Sequence, residues 1–232
     1  MRRVGFPETA DRGRFRAFEV ASIAAFFALV ALLTGDVAHA LMREPLLALL
    51  VPPVALLGYL TSDFTSGFVH WLADRYGSRT TPLLGPKFVV PFRDHHVDPA
   101  AIGRHDFVEA NGDNCFVALF VLVPVSFLRI DHAPWLALFV LYVLVLAVGT
   151  LLTSMAHGWA HREEPPTLAR WLARAGLVIT REHHQHHHQG DHLTHYCITT
   201  GWLNGLLDRT AFFRKLEQLF DWLGIPRGDD AR

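Results

Sequence analysis

The sequence predicts an all-α integral membrane protein with about four transmembrane helices and a histidine-rich cap on the cytoplasmic side. Three observations predict it. Apolar residues make up 51% of the 232 positions and gather into four long runs, as a hydrocarbon layer ~30 Å thick demands of spanning helices. Lys and Arg sort to one side of those runs, and so do thirteen of the fifteen histidines.

The first run, AFEVASIAAFFALVALL (17–33), is apolar apart from Glu19. The second, LLALLVPPVALLGYLTS (46–62), carries Pro52–Pro53, expected to kink it. The third, CFVALFVLVPVSFL (115–128), is short and interrupted by Pro124, which fits either a span or a re-entrant segment. The fourth, WLALFVLYVLVLAVGTLLT (135–153), is the strongest. If four helices weave from a cytoplasmic N-terminus, nineteen of the twenty-one Lys and Arg residues fall on the cytoplasmic side, as positive-inside sorting requires. Both termini are then cytoplasmic. The start, MRR…RGRFR before an apolar stretch and VAHA, also has the layout of a signal peptide. Its cleavage would leave the orientation of the other helices unchanged. With no internal repeat or linker, a single domain over 1–232 is expected, and the amphipathic segment 202–224 is expected to lie on the membrane interface.

The net charge of -1 gives nucleic acid no electrostatic footing. Cys115 and Cys197 have neither disulfide-framework nor thiolate-site spacing, so any metal must be held by nitrogen and oxygen.

The histidines sit in clusters. DFTSGFVHWLAD (63–74) continues the second run, and at ~100° per residue Asp63, Gly67, His70 and Asp74 form one polar stripe on an apolar helix. PFRDHHVDP (91–99) places His95 beside His96. On a helix such neighbours diverge by ~100°, so they share one ion only if the backbone bends around it. His105, Asp106 and Glu109 follow in RHDFVEANGDN, with His105 the weaker ligand candidate. SMAHGWAH ends the fourth run with His157 and His161 at i and i+4, the usual helical pair for a metal. REHHQHHHQGDH (181–192) holds six histidines. Read as a helix, it sets His183, His184, His187, His188 and His192 on one half and His186 on the other. Asp63, Asp74, Asp98 and Asp106 are expected to accept hydrogen bonds from ligand imidazoles and fix their tautomers.

Eight or more converging histidines are too many for one ion and suit two. A zinc-protease H-E-x-x-H is absent, and none of the eight glutamates has His three residues on, which excludes the soluble carboxylate di-iron pattern. What remains is a histidine-rich, non-haem di-iron centre at a membrane surface.

In that order, DFTSGFVHWLAD, PFRDHHVDP, RHDFVEANGDNC, HGWAH, HHQHHH…H and YCITTGWLN resemble the plasmanylethanolamine desaturases, the Kua or CarF type of the lipid desaturase family, over about residues 60–210. The resemblance implies a dioxygen-dependent reaction that introduces the vinyl ether double bond into the sn-1 O-alkyl chain of an ether phospholipid. It implies two iron ions and electrons from an external donor such as cytochrome b5 or a ferredoxin. It carries over as ligands His70, His95, His96, His157, His161, His184, His187 and His188, with His105, His183 and His192 less firmly. A fatty-acyl desaturase or hydroxylase of the same di-iron type is the alternative. A metal transporter is remote, because Glu19 is the only ionisable residue in the four runs, and an ion crossing the bilayer needs stations.

Overall fold

The structure, a computed structural model, describes residues 9–82 and 85–228. Arg2 and Arg3 and the start of the signal-like segment lie outside the described residues. The described chain is helical: α1 (Thr9–Arg43), α2 (Val51–Arg75), α3 (Val90–Asp94), α4 (Pro99–Gly103), α5 (Phe107–Ser126), α6 (Leu136–Ala160), α7 (Thr167–Arg174), α8 (Arg181–Gln185), α9 (Asn204–Arg209) and α10 (Phe212–Trp222). Among the described residues there is no strand, and an isolated antiparallel bridge joins Tyr76 to Arg227.

Four helical segments are long and apolar enough to cross a membrane: 15–43, 45–75, 107–126 and 136–160. The third expected run belongs to a helix long enough to span. Its helix starts at Phe107, upstream of the purely apolar stretch, and its 20 residues reach roughly 30 Å at ~1.5 Å per residue. Pro52 and Pro53 stand where the 45–75 span changes from 3₁₀ to α helix. A 3₁₀ turn (Pro45–Leu50) comes first and α2 begins at Val51. The prolines thus stand in its first turn, where a missing N–H costs nothing.

The chain divides into two compact units, residues 1–58 with 106–151 and residues 59–105 with 152–232. In the first, α1 packs along α5. Gly112 permits the approach, since a Cβ there would stand 2.5 Å from the Glu19 side chain. Phe26, Leu33 and Val37 of α1, Cys115 and Leu122 of α5, and Val140, Leu144 and Leu151 of α6 form its core. Asp106 caps α5, accepting the N–H groups of Val108 (2.9 Å) and Glu109 (3.0 Å), and takes a two-pronged contact from Arg16 at 2.8 and 2.9 Å. The Arg16 bond and those N–H groups hold its carboxyl down to about 2. Outward faces carry Leu46 (79% exposed), Phe127 (76%) and Phe120 (67%), a surface suited to lipid rather than water.

In the second unit, Trp71 and Tyr76 at the end of α2 pack against Tyr196, Phe213 and Phe220, while Ala156 and Ala160 of α6 pack on Val178, Ile179 and Ile198. The stripe read on α2 finds a partner. Asp63 Oδ1 accepts the N–H groups of Thr200 (2.8 Å) and Gly201 (3.0 Å), and Oδ2 accepts that of Leu203 (3.2 Å). Four residues on, a Cβ at Gly67 would collide with Cys197 at 2.5 Å. One face of α2 is thus shaped to hold the segment CITTGWLN.

The expected helix at 181–192 is shorter than read, and the amphipathic segment 202–224 is two helices. Segment 181–192 is helical only over Arg181–Gln185; it then turns, with Gly190 and His192 at positive φ. Segment 202–224 breaks into α9 and α10 at Ala211, whose φ of 51° is left-handed. The break lets Phe213 and Phe220 face Trp71 while Trp222 stays 80% exposed.

Candidate metal centre

Nine side chains of the second unit form two donor groups. His95, His157, His161, His184 and His188 make one; His70, Asp74, His96 and His187 make the other. In each, one ligand atom per residue lies within 4.8 Å of all the rest.

Local structure explains the sorting. Three pairs spaced i and i+4 each present both members to one group: His70 with Asp74 on α2, His157 on α6 with His161 just past its end, and His184 on α8 with His188 in the turn that follows. Two adjacent doublets do the opposite. His95 and His188 belong to the first group while their neighbours His96 and His187 belong to the second. The divergence of neighbouring side chains, which prevents a doublet from serving one ion, lets it serve two.

Backbone carbonyls orient the rings. His70 Nδ1 donates to Tyr196 O at 3.2 Å, His187 Nδ1 donates to Thr194 O at 2.7 Å, and His95 Nδ1 donates to the Phe92 carbonyl. Each bond fixes the proton on Nδ1 and turns the Nε2 lone pair towards the centre. Burial, and then the crowding of other imidazoles, holds His95 and His184 well below the usual histidine range. The same causes bring His96 to about 2 and His188 to about 3, and His161, where the Arg181 charge also contributes, to about 4. At neutral pH these rings are neutral, the form that binds metal.

The residues fit a pair of cations. His70 Nε2, His95 Nε2 and both Asp74 oxygens are buried without a hydrogen-bond partner, although the Asp74 oxygens stand 3.4 Å from the Nε2 atoms of His70, His96 and His187. In the other group the Nε2 atoms of His157, His161, His184 and His188 approach one another at 2.9–3.3 Å. Neutral imidazoles cannot satisfy all these contacts, since each ring has one N–H and Nδ1 already carries it in the carbonyl-bound cases. A metal ion at each focus would.

The remaining candidates lie elsewhere. His183 Nε2 accepts from Asn204 Nδ2 at 3.1 Å, and the ring packs on the Gly201 turn, where a Cβ would come within 2.7 Å of it. His192 sets its ring edge-on to that of His96, centroids 4.3 Å apart, and donates from Nδ1 to His187 O at 2.9 Å, bordering the Asp74 group without joining it. His105 lies between α4 and α5, outside both groups, with its carbonyl accepting from Arg162. His186 is exposed, as read. Of the four carboxylates expected to orient imidazoles, Asp63 holds the 200–203 backbone, Asp98 pairs with Arg104 at 2.8 Å and Asp106 caps α5. Asp74 stands among the donors themselves. The orienting role passes to the carbonyls of Phe92, Thr194 and Tyr196, which no side-chain pattern signals.

The lipid desaturase domain profile matches residues 59–227. The chain belongs to the lipid desaturase family. The matched segment contains all nine donors of this lipid desaturase. The chain is 38% identical over 218 residues to a plasmanylethanolamine desaturase of Myxococcus xanthus, covering 93% of this chain and 76% of that one. It is 40% identical over 191 residues to plasmanylethanolamine desaturase 1 of Mus musculus, covering 78% and 70%. Against the chloroplastic fatty acid desaturase 4 of Arabidopsis thaliana it is 32% identical over 206 residues, covering 87% and 60%. No solved structure matches the chain.

The neutral imidazoles have a consequence for stability in the metal-stripped desaturase. Unfolded, each takes a proton near pH ~6.5. Folded, His161, His188 and His96 resist protonation down to about 4, 3 and 2. Below ~6.5 the unfolded chain therefore binds more protons, so stability is full above that value and declines as pH falls through it. Denaturant midpoints of chelator-stripped protein are expected to drop steadily between about pH 6.5 and 5. A flat profile would show that these rings are not buried neutral.

Proposed function

We propose that this chain is a plasmanylethanolamine desaturase, converting the sn-1 O-alkyl chain of an ether phospholipid to the vinyl ether of a plasmalogen. The observation that carries this reading is the pairing of two buried donor groups in a chain that is 38–40% identical to plasmanylethanolamine desaturases. The net reaction takes one hydrogen from each of C1 and C2 and reduces one dioxygen to two waters. It draws two electrons, one from each of two molecules of an external carrier such as cytochrome b5 or a ferredoxin, and two protons from water.

His95, His157, His161, His184 and His188 would hold one iron ion, and His70, Asp74, His96 and His187 the other. Bound iron would supply the dioxygen activation that an unactivated C–H bond requires and that side-chain acids and bases cannot provide. The protein's own part is positional. Nδ1 bonds to backbone carbonyls keep the Nε2 atoms of His70, His95 and His187 aimed, Asp74 contributes the one carboxylate among nine donors, and Trp71, Tyr196 and Phe213 pack together in the same unit. The distribution of Lys and Arg supports termini and centre on the cytoplasmic side.

Expression in a host that lacks vinyl ethers tests the reading. Acid-labile plasmalogen is expected to accumulate only when the host also contains ether phospholipid, and purified protein is expected to carry about two irons per chain. New acyl double bonds without vinyl ethers would instead favour the chemistry named for the Arabidopsis relative.

A further inference from the structure

Beside the five-histidine group, where α6 ends and α7 and α8 begin, lies a cavity of about 350 Å³. Its polar lining is dominated by Arg162, Arg170, Arg174 and Arg181, against Glu163 and Glu182. Arg162 is committed to the carbonyls of Gly103 (2.7 Å) and His105 (3.4 Å), and Arg170 reaches only Thr167 Oγ1 at 3.1 Å. Glu182 is turned back to Thr180 and its own backbone at the start of α8. Among the described residues no carboxylate is within ion-pair distance of Arg170, Arg174 or Arg181, although Glu182 feels the Arg181 charge, so four guanidiniums against two carboxylates leave the cavity an excess of positive charge beside the apolar side chains of Ala169, Val178 and Ile179. Guanidinium forks without a carboxylate suit a tetrahedral oxyanion.

Its position says which oxyanion. Trp159 and Ala160 in the wall are the last residues of a membrane-crossing helix, which sets the cavity at the depth where a bilayer changes from hydrocarbon to headgroups. α7, which forms the opposite wall, turns Leu168 (60% exposed) and Trp171 (66%) outward, as a helix seated in that boundary does. The next residue after Ala160 is His161, and Thr180 both lines the cavity and caps α8, the helix of His184.

We propose that this cavity binds the phosphodiester of a glycerophospholipid headgroup. Resting on the desaturase reading, it holds the headgroup of the substrate. Phosphate and the first carbon of the sn-1 chain are only a few bonds apart, so a headgroup seated here leaves that carbon beside the donors carried on α6 and α8.

Direct binding to the iron-loaded protein in neutral detergent tests this without turnover. The probes are a short-chain 1-O-alkyl phosphatidylethanolamine, the corresponding phosphate-free alkylacylglycerol, and inorganic phosphate. The Arg174→Gln/Arg181→Gln variant is expected to bind the phospholipid at least about tenfold more weakly and the phosphate-free lipid unchanged. Arg174→Lys/Arg181→Lys, which keeps the charge, is expected to retain most of the affinity. Unaltered phospholipid affinity in the Gln variant, or an equal loss for both lipids, would overturn the proposal. Inorganic phosphate binding as tightly as the phospholipid would identify a free-phosphate site and overturn the headgroup assignment. A chain that binds phospholipid in this arginine-dependent way but makes no vinyl ether would defeat the desaturase reading alone.

Discussion

Replacing Asp74 with alanine is expected to lower bound iron from about two per chain to about one and to reduce vinyl ether formation at least ~100-fold. Asp74 is the only carboxylate among the nine donors, and its two oxygens are buried without a hydrogen bond 3.4 Å from three imidazole nitrogens. A carboxylate in that setting is costly unless a cation sits at the focus of the group. The all-histidine group carries no charge of its own, so the two positions should differ in affinity, and the Asp74 position should lose its ion first when the acid is removed. Iron analysis on Asp74→Ala and Asp74→Asn, alongside His184→Ala, reads this directly. Two irons and full activity in Asp74→Ala would mean that the Asp74 group is not a metal position.

The second large effect belongs to Asp63. Removing its side chain strips the acceptor from three backbone N–H groups at Thr200, Gly201 and Leu203, in a segment that is mostly buried. Asp63→Ala is therefore expected to destabilise the fold by on the order of 3 kcal/mol or more. That corresponds to a fall of roughly 10 °C in the melting temperature of a chain this size. Asp63→Asn keeps an acceptor oxygen and should recover part of the loss. Thermal unfolding in detergent decides the matter: equal melting temperatures for parent and Asp63→Ala would show that the segment is held by other means.

The spans were legible because lipid imposes a length and a composition on each of them, and the chain obeys both. His157 with His161 was legible for the same kind of reason: on a regular helix, spacing is direction. The stripe on α2 was legible as a stripe, but its division was not. Asp63 and Gly67 serve the CITTGWLN segment while His70 and Asp74 join one of the two donor groups, and the choice depends on residues about 130 positions away. The helix drawn through 181–192 ends at Gln185, and further on Gly190 and His192 adopt left-handed backbone conformations that keep the segment from resuming a helix. With that turn the backbone brings the carbonyls of Thr194 and Tyr196 to His187 and His70, and main-chain acceptors leave no trace in a side-chain pattern.

The two histidine doublets fix a length as well as an assignment. Consecutive Cα atoms across a trans peptide are ~3.8 Å apart whatever the surrounding helices do. His95–His96 and His187–His188 each place one residue in either donor group, so the groups are tied at two independent points by a single peptide unit. Packing can loosen, and helices can slide by fractions of an ångström, but such movements carry both groups together. The backbone origin of the two foci is therefore held by a covalent ruler, and a residue inserted within either doublet is expected to change their spacing more than a substitution in the surrounding helices.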